Sequence, residues 1–283
     1  MNENIQNIIY AVLAFLVLGG AMGILLAIAS KVFFVKTNEN VAAIAELLPG
    51  ANCGGCGYSG CNALAEAIVK GEAKTSACVA GDEVLAAKIA EIMGVPAEKP
   101  TKKRAQVMCS GTSEYAKKKY FYKGAHDCFA ASKMGGGDKL CPNGCIGLGT
   151  CVAACMFDAI TVVDGVAVVD YEKCQACGRC VEACPKHIIR IIPYDSTHWV
   201  GCMSVDKGAV TKNYCEVGCI SCKICEKSCN YDAIHVTDFV AEIDYDKCTM
   251  CGECVAKCPR KIIWSDRSQR VSVVIPPKHV EEN

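Results

Sequence analysis

Aromatic residues and net charge are both scarce in this sequence. Phe, Trp and Tyr make up 7% of the 283 residues, and 30 Lys and Arg residues balance 30 Asp and Glu residues. A balanced chain produces no overall field that attracts nucleic acid or anionic lipid, so no nucleic-acid partner is expected. The segments between cysteines are short, and a large conventional apolar core is not expected either.

Nucleotide-binding motifs are also absent. The sequence has no P-loop and no G-x-G-x-x-G after a predicted strand, and the pair Gly147 and Gly149 lies inside a cysteine loop. The five histidines are scattered, so no catalytic residue is predicted. The chain is not expected to bind NAD or to transfer hydride by itself.

Cysteine is the residue that the sequence has in excess, with 24 in the chain. In a small secreted protein this count would indicate a disulfide framework. This chain is long, however, and most of its cysteines lie in C-x-x-C runs that suit a metal centre. Metal-bound thiolates made in a reducing compartment, the cytoplasm, are therefore the prediction.

A long stretch without charged residues, residues 4–30, begins near the N-terminus. Within it, residues 8–30 supply the roughly 20 apolar residues that cross a bilayer. A cleaved signal peptide is the alternative, but Glu3 stands where a basic leader is usual, and the apolar run is longer than most signal sequences have. We predict a single-pass membrane helix that contacts lipid. Lys31 and Lys36 follow it, which places the rest of the chain in the cytoplasm by the positive-inside rule.

A four-cysteine unit follows this helix. It reads Cys53-Gly-Gly-Cys56-x4-Cys61, with Cys78 after 16 further residues. The glycines permit unusual backbone angles and leave amides close to cluster sulfurs. Zinc ribbons also use C-x2-C units, but they usually have two matched pairs, whereas this three-plus-one distribution is typical of a cubane. We predict one [4Fe–4S] cluster in a domain of residues 37–95.

Two short helices flank this unit in the prediction. The first covers residues 40–48. The second covers residues 82–93, with Asp82 as its N-cap and Gly94 as its stop. Residues 96–106 are the best linker in the chain and separate this domain from the cysteine-rich remainder. Residues 1–36 form the membrane anchor.

The remainder contains an internal repeat with a fixed offset of 74 positions. Neighbouring residues agree too, since Phe157-Asp-Ala-Ile160 matches Tyr231-Asp-Ala-Ile234. We predict two tandem domains of one fold, residues 107–196 and 197–283. The nine cysteine pairs at this offset are Cys128 and Cys202, Cys141 and Cys215, Cys145 and Cys219, Cys151 and Cys225, Cys155 and Cys229, Cys174 and Cys248, Cys177 and Cys251, Cys180 and Cys254, and Cys184 and Cys258.

Each repeat carries the bacterial ferredoxin spacing C-x2-C-x2-C-x3-C-P, which begins at Cys174 and again at Cys248. In this motif the first three thiolates hold one cubane, and the fourth reaches the neighbouring cubane. A further half-motif begins at Cys219, with Asn230 in place of the usual proline. Cross-ligation then predicts two sets in the second repeat: Cys219, Cys222, Cys225 and Cys258, and Cys248, Cys251, Cys254 and Cys229.

The matching half-motif of the first repeat is broken, because Leu148 stands at the position of Cys222. Cys141 is the natural replacement, although the third ligand beside Cys145 and Cys151 stays open. The two sets predicted for the first repeat are Cys141, Cys145, Cys151 and Cys184, and Cys174, Cys177, Cys180 and Cys155.

Four cysteines remain outside these five clusters, namely Cys109, Cys128, Cys202 and Cys215. A sixth cluster is arithmetically available, and the alternative is buried free thiols that act as small hydrophobic groups. The spacing Cys215-x3-Cys219-x2-Cys222 also occurs in radical S-adenosylmethionine enzymes, but here the ferredoxin repeat supplies a fourth ligand. Five [4Fe–4S] clusters are predicted, and a sixth is left open.

These features combine into an α+β fold: a single N-terminal transmembrane helix, a small four-cysteine [4Fe–4S] domain and two tandem bacterial ferredoxin-like 2[4Fe–4S] domains. Over nearly the whole chain, the sequence resembles the B subunits of Rnf complexes. The resemblance rests on the apolar helix, the unit that begins NCGGCGYSGC and the ferredoxin modules after a basic linker. Rnf complexes are ion-translocating ferredoxin:NAD+ oxidoreductases.

The resemblance implies a non-catalytic electron-relay subunit of a translocase in the cell membrane. It would accept electrons from soluble reduced ferredoxin and pass them to the other Rnf subunits, with its cluster domains in the cytoplasm. The pumped ion, Na+ or H+, stays open. The alternatives are an electron-transfer subunit of another membrane oxidoreductase complex and a catalytic cluster enzyme, and the absence of a substrate-pocket motif disfavours the second.

Overall fold

The computed structural model describes residues 3–32 and 38–265. Lys36 and the end of the predicted second repeat, residues 266–283, lie outside the described residues. The chain divides into two compact units between Ala43 and Ile44. The first unit carries the apolar helix, and the second carries every cysteine of the sequence.

Helix α1 spans Glu3–Val32 and confirms the predicted long helix. Its segment Val12–Lys31 is long and apolar enough to cross a membrane, and none of this segment is buried against protein. At a rise of about 1.5 Å per residue, such a segment matches the roughly 30 Å hydrocarbon core of a bilayer. Helix α2 spans Glu39–Leu47, close to the predicted helix at residues 40–48.

The second unit consists of short helices and two-stranded antiparallel sheets. Strand β1 pairs with β4, β2 with β3, β5 with β8 and β6 with β7. The further helices are α3 (Cys61–Val69), α4 (Glu83–Met93), α5 (Cys128–Lys133), α6 (Thr150–Ala153), α7 (Arg179–Glu182), α8 (Gly208–Tyr214), α9 (Ile224–Lys227) and α10 (Glu253–Lys257). The strands are β1 (Lys103–Val107), β2 (Ile160–Val163), β3 (Val166–Val169), β4 (Ile189–Pro193), β5 (Trp199–Val200), β6 (Ile234–Thr237), β7 (Val240–Ile243) and β8 (Ile263–Trp264).

Helix α4 begins and ends where its sequence predicts. The Asp82 carboxylate accepts a hydrogen bond from the Leu85 N–H at 2.8 Å, which satisfies one of the free amides of the first turn. Gly94 takes the left-handed conformation with φ of 66°, and its N–H closes the last turn. The predicted cap and stop are both confirmed.

The repeat is visible in the strand register. Ile160 pairs with Val169 in the first hairpin, and Ile234 pairs with Ile243 at the equivalent place in the second. The outer sheets also correspond, because β4 and β8 start at the equivalent residues Ile189 and Ile263.

The strands that pair with β4 and β8 do not keep the 74-residue offset. Val107 pairs with Ile189, whereas Val200 pairs with Ile263. The first repeat therefore has 19 more residues than the second between this strand and its next shared cysteine. Cys109 and Cys202 each follow the strand by two residues and are the structural equivalents.

Cys128 lies within the extra residues of the first repeat, at the start of α5. Its match to Cys202 at the fixed offset therefore does not correspond to a shared structural position. The expectation of nine equivalent cysteine pairs is corrected to eight at the fixed offset, with Cys109 and Cys202 as a ninth pair at a different offset.

Strand β1 occupies part of the stretch that the sequence analysis assigned to a linker. The reason is Arg104, whose side chain is 0% exposed. Its guanidinium lies 3.9 Å from the centre of the Tyr171 ring and donates to the Ser196 carbonyl at 2.8 Å. A basic residue thus belongs to the core of the first repeat, because an aromatic face and a carbonyl replace its water.

The apolar clusters of the two repeats include cysteines as well as aliphatic residues. Cys145, Cys174, Cys180 and Cys184 are buried in the first cluster among short aliphatic side chains such as Val166. A core of this kind has few large side chains. Metal centres bound by the thiols would therefore have to contribute part of its folding free energy.

Candidate metal centres

All 24 cysteines lie in the described residues, and none forms a disulfide. The structure brings them together in six groups of four, which we name sets A to F. Set A is Cys53, Cys56, Cys61 and Cys78; set B is Cys155, Cys174, Cys177 and Cys180; set C is Cys128, Cys145, Cys151 and Cys184; set D is Cys109, Cys141, Cys202 and Cys215; set E is Cys219, Cys222, Cys225 and Cys258; and set F is Cys229, Cys248, Cys251 and Cys254.

Set A is formed by the loop before α3, the first residue of α3 and the loop before α4. The Asn52 side chain accepts a hydrogen bond from the Cys61 N–H at 2.8 Å and so ties the two ends of the loop together. Burial raises the pKa of the Cys78 thiol, and the nearby thiols of Cys56 and Cys61 raise it further. The four predicted cysteines of this unit are therefore close in space.

Sets B and F have the same construction in the two repeats. Ala159 donates its N–H to Cys155 Sγ at 3.4 Å, and Ala233 donates to Cys229 Sγ at 3.3 Å. Each set takes its fourth thiol from the other half-motif, as the cross-ligation argument predicts. Backbone N–H groups directed at cluster sulfurs stabilise negative charge on them.

The cysteine loops share a strained backbone position. Ala176, Ser221 and Met250 have φ between 52° and 56°, and Gly147 has φ of 79° at the corresponding place. For residues other than glycine this left-handed conformation costs about 1–2 kcal/mol. It turns the chain tightly, so that consecutive thiols and backbone amides face one cavity.

The four thiols of set C line one cavity, together with the side chains of Ile146, Val162 and Ile189. Burial, together with the neighbouring thiols of Cys145 and Cys128, raises the pKa of the Cys151 thiol to about 12. Cys128 thus stands where the sequence analysis placed Cys141.

Cys128 is held in this position by a small polar network. Its N–H donates to the Thr150 hydroxyl at 2.6 Å, and that hydroxyl donates to the Asp127 carboxylate at 2.9 Å. The same carboxylate caps α5 by accepting from the Ala130 N–H at 2.8 Å. Because Thr150 immediately precedes Cys151, the network fixes two thiols of set C relative to each other.

Set D lines a cavity between the two repeats, together with Lys139, Tyr214 and several glycines. Each repeat contributes two of its thiols. Burial, together with the thiols of Cys109 and Cys215, raises the pKa of the Cys141 thiol to about 11. Burial likewise raises the pKa of the Cys202 thiol to about 12, with a smaller contribution from Cys109.

Set D touches the sets on either side of it. Cys145 of set C donates its N–H to Cys109 Sγ at 3.5 Å, and Cys219 of set E donates to Cys202 Sγ at 3.3 Å. Since Cys145 and Cys219 are equivalent in the repeat, the two bonds are the same interaction made twice.

Backbone pairing between the repeats assembles set D. The extra segment of the first repeat pairs with the second at Ala116 and Cys215, and Glu216 donates its N–H to the Tyr115 carbonyl at 2.9 Å. On the other side, Ser110 donates its N–H to the Gly201 carbonyl at 2.8 Å, next to Cys109 and Cys202. Sequence signals for this set were limited to its leftover cysteines and the similar surroundings of Val107 and Val200.

Cys141 therefore lies apart from the set to which the sequence analysis assigned it. It stands in the wall of the set D cavity, while Cys128 takes the vacant position in set C. The physical reason is the inserted segment. It places α5, and with it Cys128, beside Leu148, where the repeat pattern lacks a thiol, so that Cys141 can face the second repeat.

The chemistry of the donors fits iron–sulfur clusters. Sets C to F each border a cavity with four thiols and apolar side chains. The thiols with raised pKa values would release protons on metal binding. Within residues 3–32 and 38–265, no three His, Cys, Asp or Glu side chains are close enough to share one metal ion. A zinc site would require four donors about 2.0–2.3 Å from a single ion.

Comparison with protein families agrees with this chemistry. Residues 48–80, which contain set A, match a family of Fe–S cluster domains. Residues 167–190 match a 4Fe-4S binding domain, and residues 218–263 match a 4Fe-4S dicluster domain. The fold and its cysteine sets thus define an iron–sulfur protein of the ferredoxin type that carries [4Fe–4S] clusters.

Three curated relatives cover most of the chain. The B subunit of the Na(+)-translocating ferredoxin:NAD(+) oxidoreductase complex of Acetobacterium woodii is 49% identical over 88% of this chain and 75% of its own length. The B subunit of the ion-translocating oxidoreductase complex of Methanosarcina acetivorans is 44% identical over 87% of this chain and 94% of its own. The corresponding B subunit of the proton-translocating ferredoxin:NAD(+) oxidoreductase complex of Clostridium ljungdahlii is 38% identical over 90% and 91%.

The chain belongs to this family, the B subunits of Rnf-type ion-translocating oxidoreductase complexes. It is an iron–sulfur electron-transfer subunit, as the resemblance of its motifs implies. Helix α1, the one helix of the described residues that is long and apolar enough to cross a membrane, is consistent with membrane association.

Proposed function

We propose that sets A to F bind six [4Fe–4S] clusters, and that the chain relays electrons through them without catalysing hydride transfer itself. The observation that carries this proposal is the use of all 24 cysteines in six groups of four, with no thiol left over. The five clusters expected from the spacing thereby become six.

The ligands that we propose differ from the sequence assignment at two positions. Cys128 completes set C, and Cys141 joins the three other leftover cysteines, Cys109, Cys202 and Cys215, in set D. Sets B, E and F keep the ligands predicted from the ferredoxin spacing, and set A keeps those of the four-cysteine unit. Shared cavities and mutual effects on thiol pKa values support each group.

When bound, [4Fe–4S] clusters supply reversible one-electron transfer at low potential. The chain's own groups tune and protect that chemistry. Burial of thiols such as Cys145 and Cys180 keeps water from the sulfurs, and N–H donors such as Ala159 stabilise added negative charge.

Neighbouring sets lie in contact along the row A, B, C, D, E, F. Arg179, beside set B, donates to the Cys53 carbonyl of set A at 3.3 Å. The Cys180 thiol of set B contributes to the raised pKa of Cys151 in set C. The hydrogen bonds from Cys145 and Cys219 join set D to its neighbours, and helices α9 and α10 pack sets E and F together. Such contacts favour one continuous relay.

The partners that we propose follow from the names of the relatives. Two of them belong to ferredoxin:NAD(+) oxidoreductase complexes, so soluble reduced ferredoxin is the proposed donor and the other complex subunits are the proposed acceptors. Helix α1 would cross the cell membrane through residues 8–30. Lys31 at its end favours the cluster domains on the cytoplasmic side.

Iron and sulfide analysis of the anaerobically purified full chain tests this function. Six clusters require about 24 iron and about 24 sulfide per chain. About 20 iron and about 20 sulfide would show that the chain holds five clusters and not six. Stoichiometric zinc with little iron would contradict the proposal.

A further inference from the structure

A lysine ammonium is buried in the wall of the set D cavity. Lys139 is 4% exposed, and its Nζ donates to the carbonyls of Gly111 and Gly165, each at 2.7 Å. Within the part of the chain that the structure describes, Lys139 has no carboxylate partner. The neighbouring Asp138 is instead paired with Lys118 at 2.9 Å.

A charge removed from water is strongly destabilising unless an opposite charge accompanies it. Two carbonyl dipoles offset only part of this cost. The groups that can supply negative charge beside Lys139 are the four thiols of set D, because they line the same cavity as Lys139. A buried lysine in such a wall therefore fits a cavity that holds an anion.

Other cations near set D are placed differently. Arg260 is half-buried and donates to the Cys215 carbonyl at 2.8 Å. Lys186, its equivalent in the repeat, donates to the Pro142 carbonyl at 2.6 Å. The residue equivalent to Lys139 in the second repeat is the exposed Asn213. Among the described residues, a fully buried ammonium thus occurs in only one of the two repeats, in the wall of the set D cavity.

We propose that the ammonium of Lys139 is a fixed counter-charge for the cluster held by set D, and that it raises the midpoint potential of this cluster. The inference rests on the proposed function, since it requires a cluster at set D. Reduction adds one electron, and hence one negative charge, to an already anionic centre. A nearby positive charge in surroundings of low dielectric stabilises the reduced form more than the oxidised form. Lys139 does not bind iron itself and acts on the cluster only through its charge.

The test compares K139M, K139Q and K139R in the full chain. Each variant is titrated anaerobically with dithionite as the electron donor, while EPR follows each cluster. The signal of set D is identified as the one lost in C215S. We expect K139M and K139Q to lower the midpoint potential of that signal more than that of any other signal, and K139R to keep it near the wild-type value. K117M, which removes an exposed lysine of the same segment, should leave every potential unchanged.

Gln at this position keeps N–H donors for the two carbonyls, so K139Q separates loss of charge from loss of hydrogen bonds. If K139M and K139Q both lose the set D iron while K139R retains it, the charge is needed to hold the cluster, and the proposal stands. If K139R loses it as well, shape and not charge is decisive, and the proposal is overturned.

An unchanged potential in K139Q with full iron content would also overturn the role of Lys139 while leaving the six-cluster function intact. Wild-type protein with about 20 iron, unaltered by C215S, would instead show that set D holds no cluster. The failure of the counter-charge and the failure of the proposed function are thereby distinguished.

Discussion

Cys128 reaches set C because a helix begins at that residue and a hydroxyl holds its amide. Helix α5 starts there, capped by Asp127, and Thr150 accepts the Cys128 N–H. The Leu148 side chain packs beside this helix instead of carrying a thiol. One cysteine from outside the repeat pattern thus stands where the pattern lacks a thiol.

Removing single cysteines tests this exchange. We expect Cys128→Ala and Cys184→Ala to abolish the same EPR signal as Cys145→Ala, because all three thiols belong to set C and alanine offers iron no ligand. Cys141→Ala should abolish the signal that is lost in Cys215→Ala. If Cys141→Ala matched Cys145→Ala instead, the assignment made from spacing alone would be right.

Thr150 gives a second prediction at this scale. Thr150→Val should remove the acceptor for the Cys128 amide and the donor to Asp127, at a cost of about 1 kcal/mol, which corresponds to roughly fivefold easier local opening. The measurement is the rate at which an iron chelator bleaches the set C cluster. Thr150→Ser keeps the hydroxyl and is the control; equal rates for the two variants would show that the network does not hold Cys128.

Among the elements, helix α1 differs most from the rest of the chain. Its segment Val12–Lys31 is apolar and is not buried against protein, whereas α3 and α4 bury one face each. A helix satisfies its own backbone hydrogen bonds and can therefore lie in lipid without protein partners. The cysteine loops differ from α1 in this respect, because their turns depend on bound ligands and on neighbouring strands.

Deletion of residues 1–36 should accordingly release a soluble and still brown protein with undiminished iron content, because every cysteine lies beyond Lys36. Fractionation of cells that lack the other complex subunits provides the measurement, and the full chain, expected in the membrane fraction, is the control. A truncated protein that stayed with membranes in such cells would contradict the assignment of α1 as the anchor.

At the scale of the molecule, the close approach of sets A and B depends on a glycine. A Cβ added to Gly55 would lie 2.7 Å from the Cys177 Cα and 2.7 Å from a methyl of Val79. The loops that carry Cys53 and Cys177 are therefore in backbone contact. Any side chain at residue 55 must push them apart by about 1 Å, since carbon atoms pack at about 3.5–4.0 Å.

Gly55→Ala should weaken the magnetic coupling between the reduced clusters of sets A and B while leaving the iron content unchanged. EPR line broadening and pulsed dipolar measurements report that coupling. Gly54→Ala is the control for local strain: its φ of 75° disfavours a side chain, but its Cβ would meet nothing of the second loop and comes no closer than 3.8 Å to any atom. Equal coupling in both variants and the wild type would show that the loop contact does not set the separation.

Local sequence determined much of this protein. The uncharged stretch predicts α1, Asp82 and Gly94 mark the ends of α4, and C-x2-C-x2-C-x3-C spacing predicts sets B, E and F. These features depend on residues within about ten positions of one another or on a motif whose geometry is nearly fixed, so chain folding elsewhere changes them little.

Tertiary structure alone decided the sets that are built from distant segments. Set D takes thiols from positions 109, 141, 202 and 215, and no spacing rule reaches across such intervals. The fixed 74-residue offset even pointed Cys128 to Cys202, because an insertion of 19 residues happened to place a cysteine there. The burial of Arg104 in a strand and of Lys139 beside set D was likewise decided by tertiary packing. A residue's environment depends on which segments pack against it, and only the folded chain specifies those neighbours.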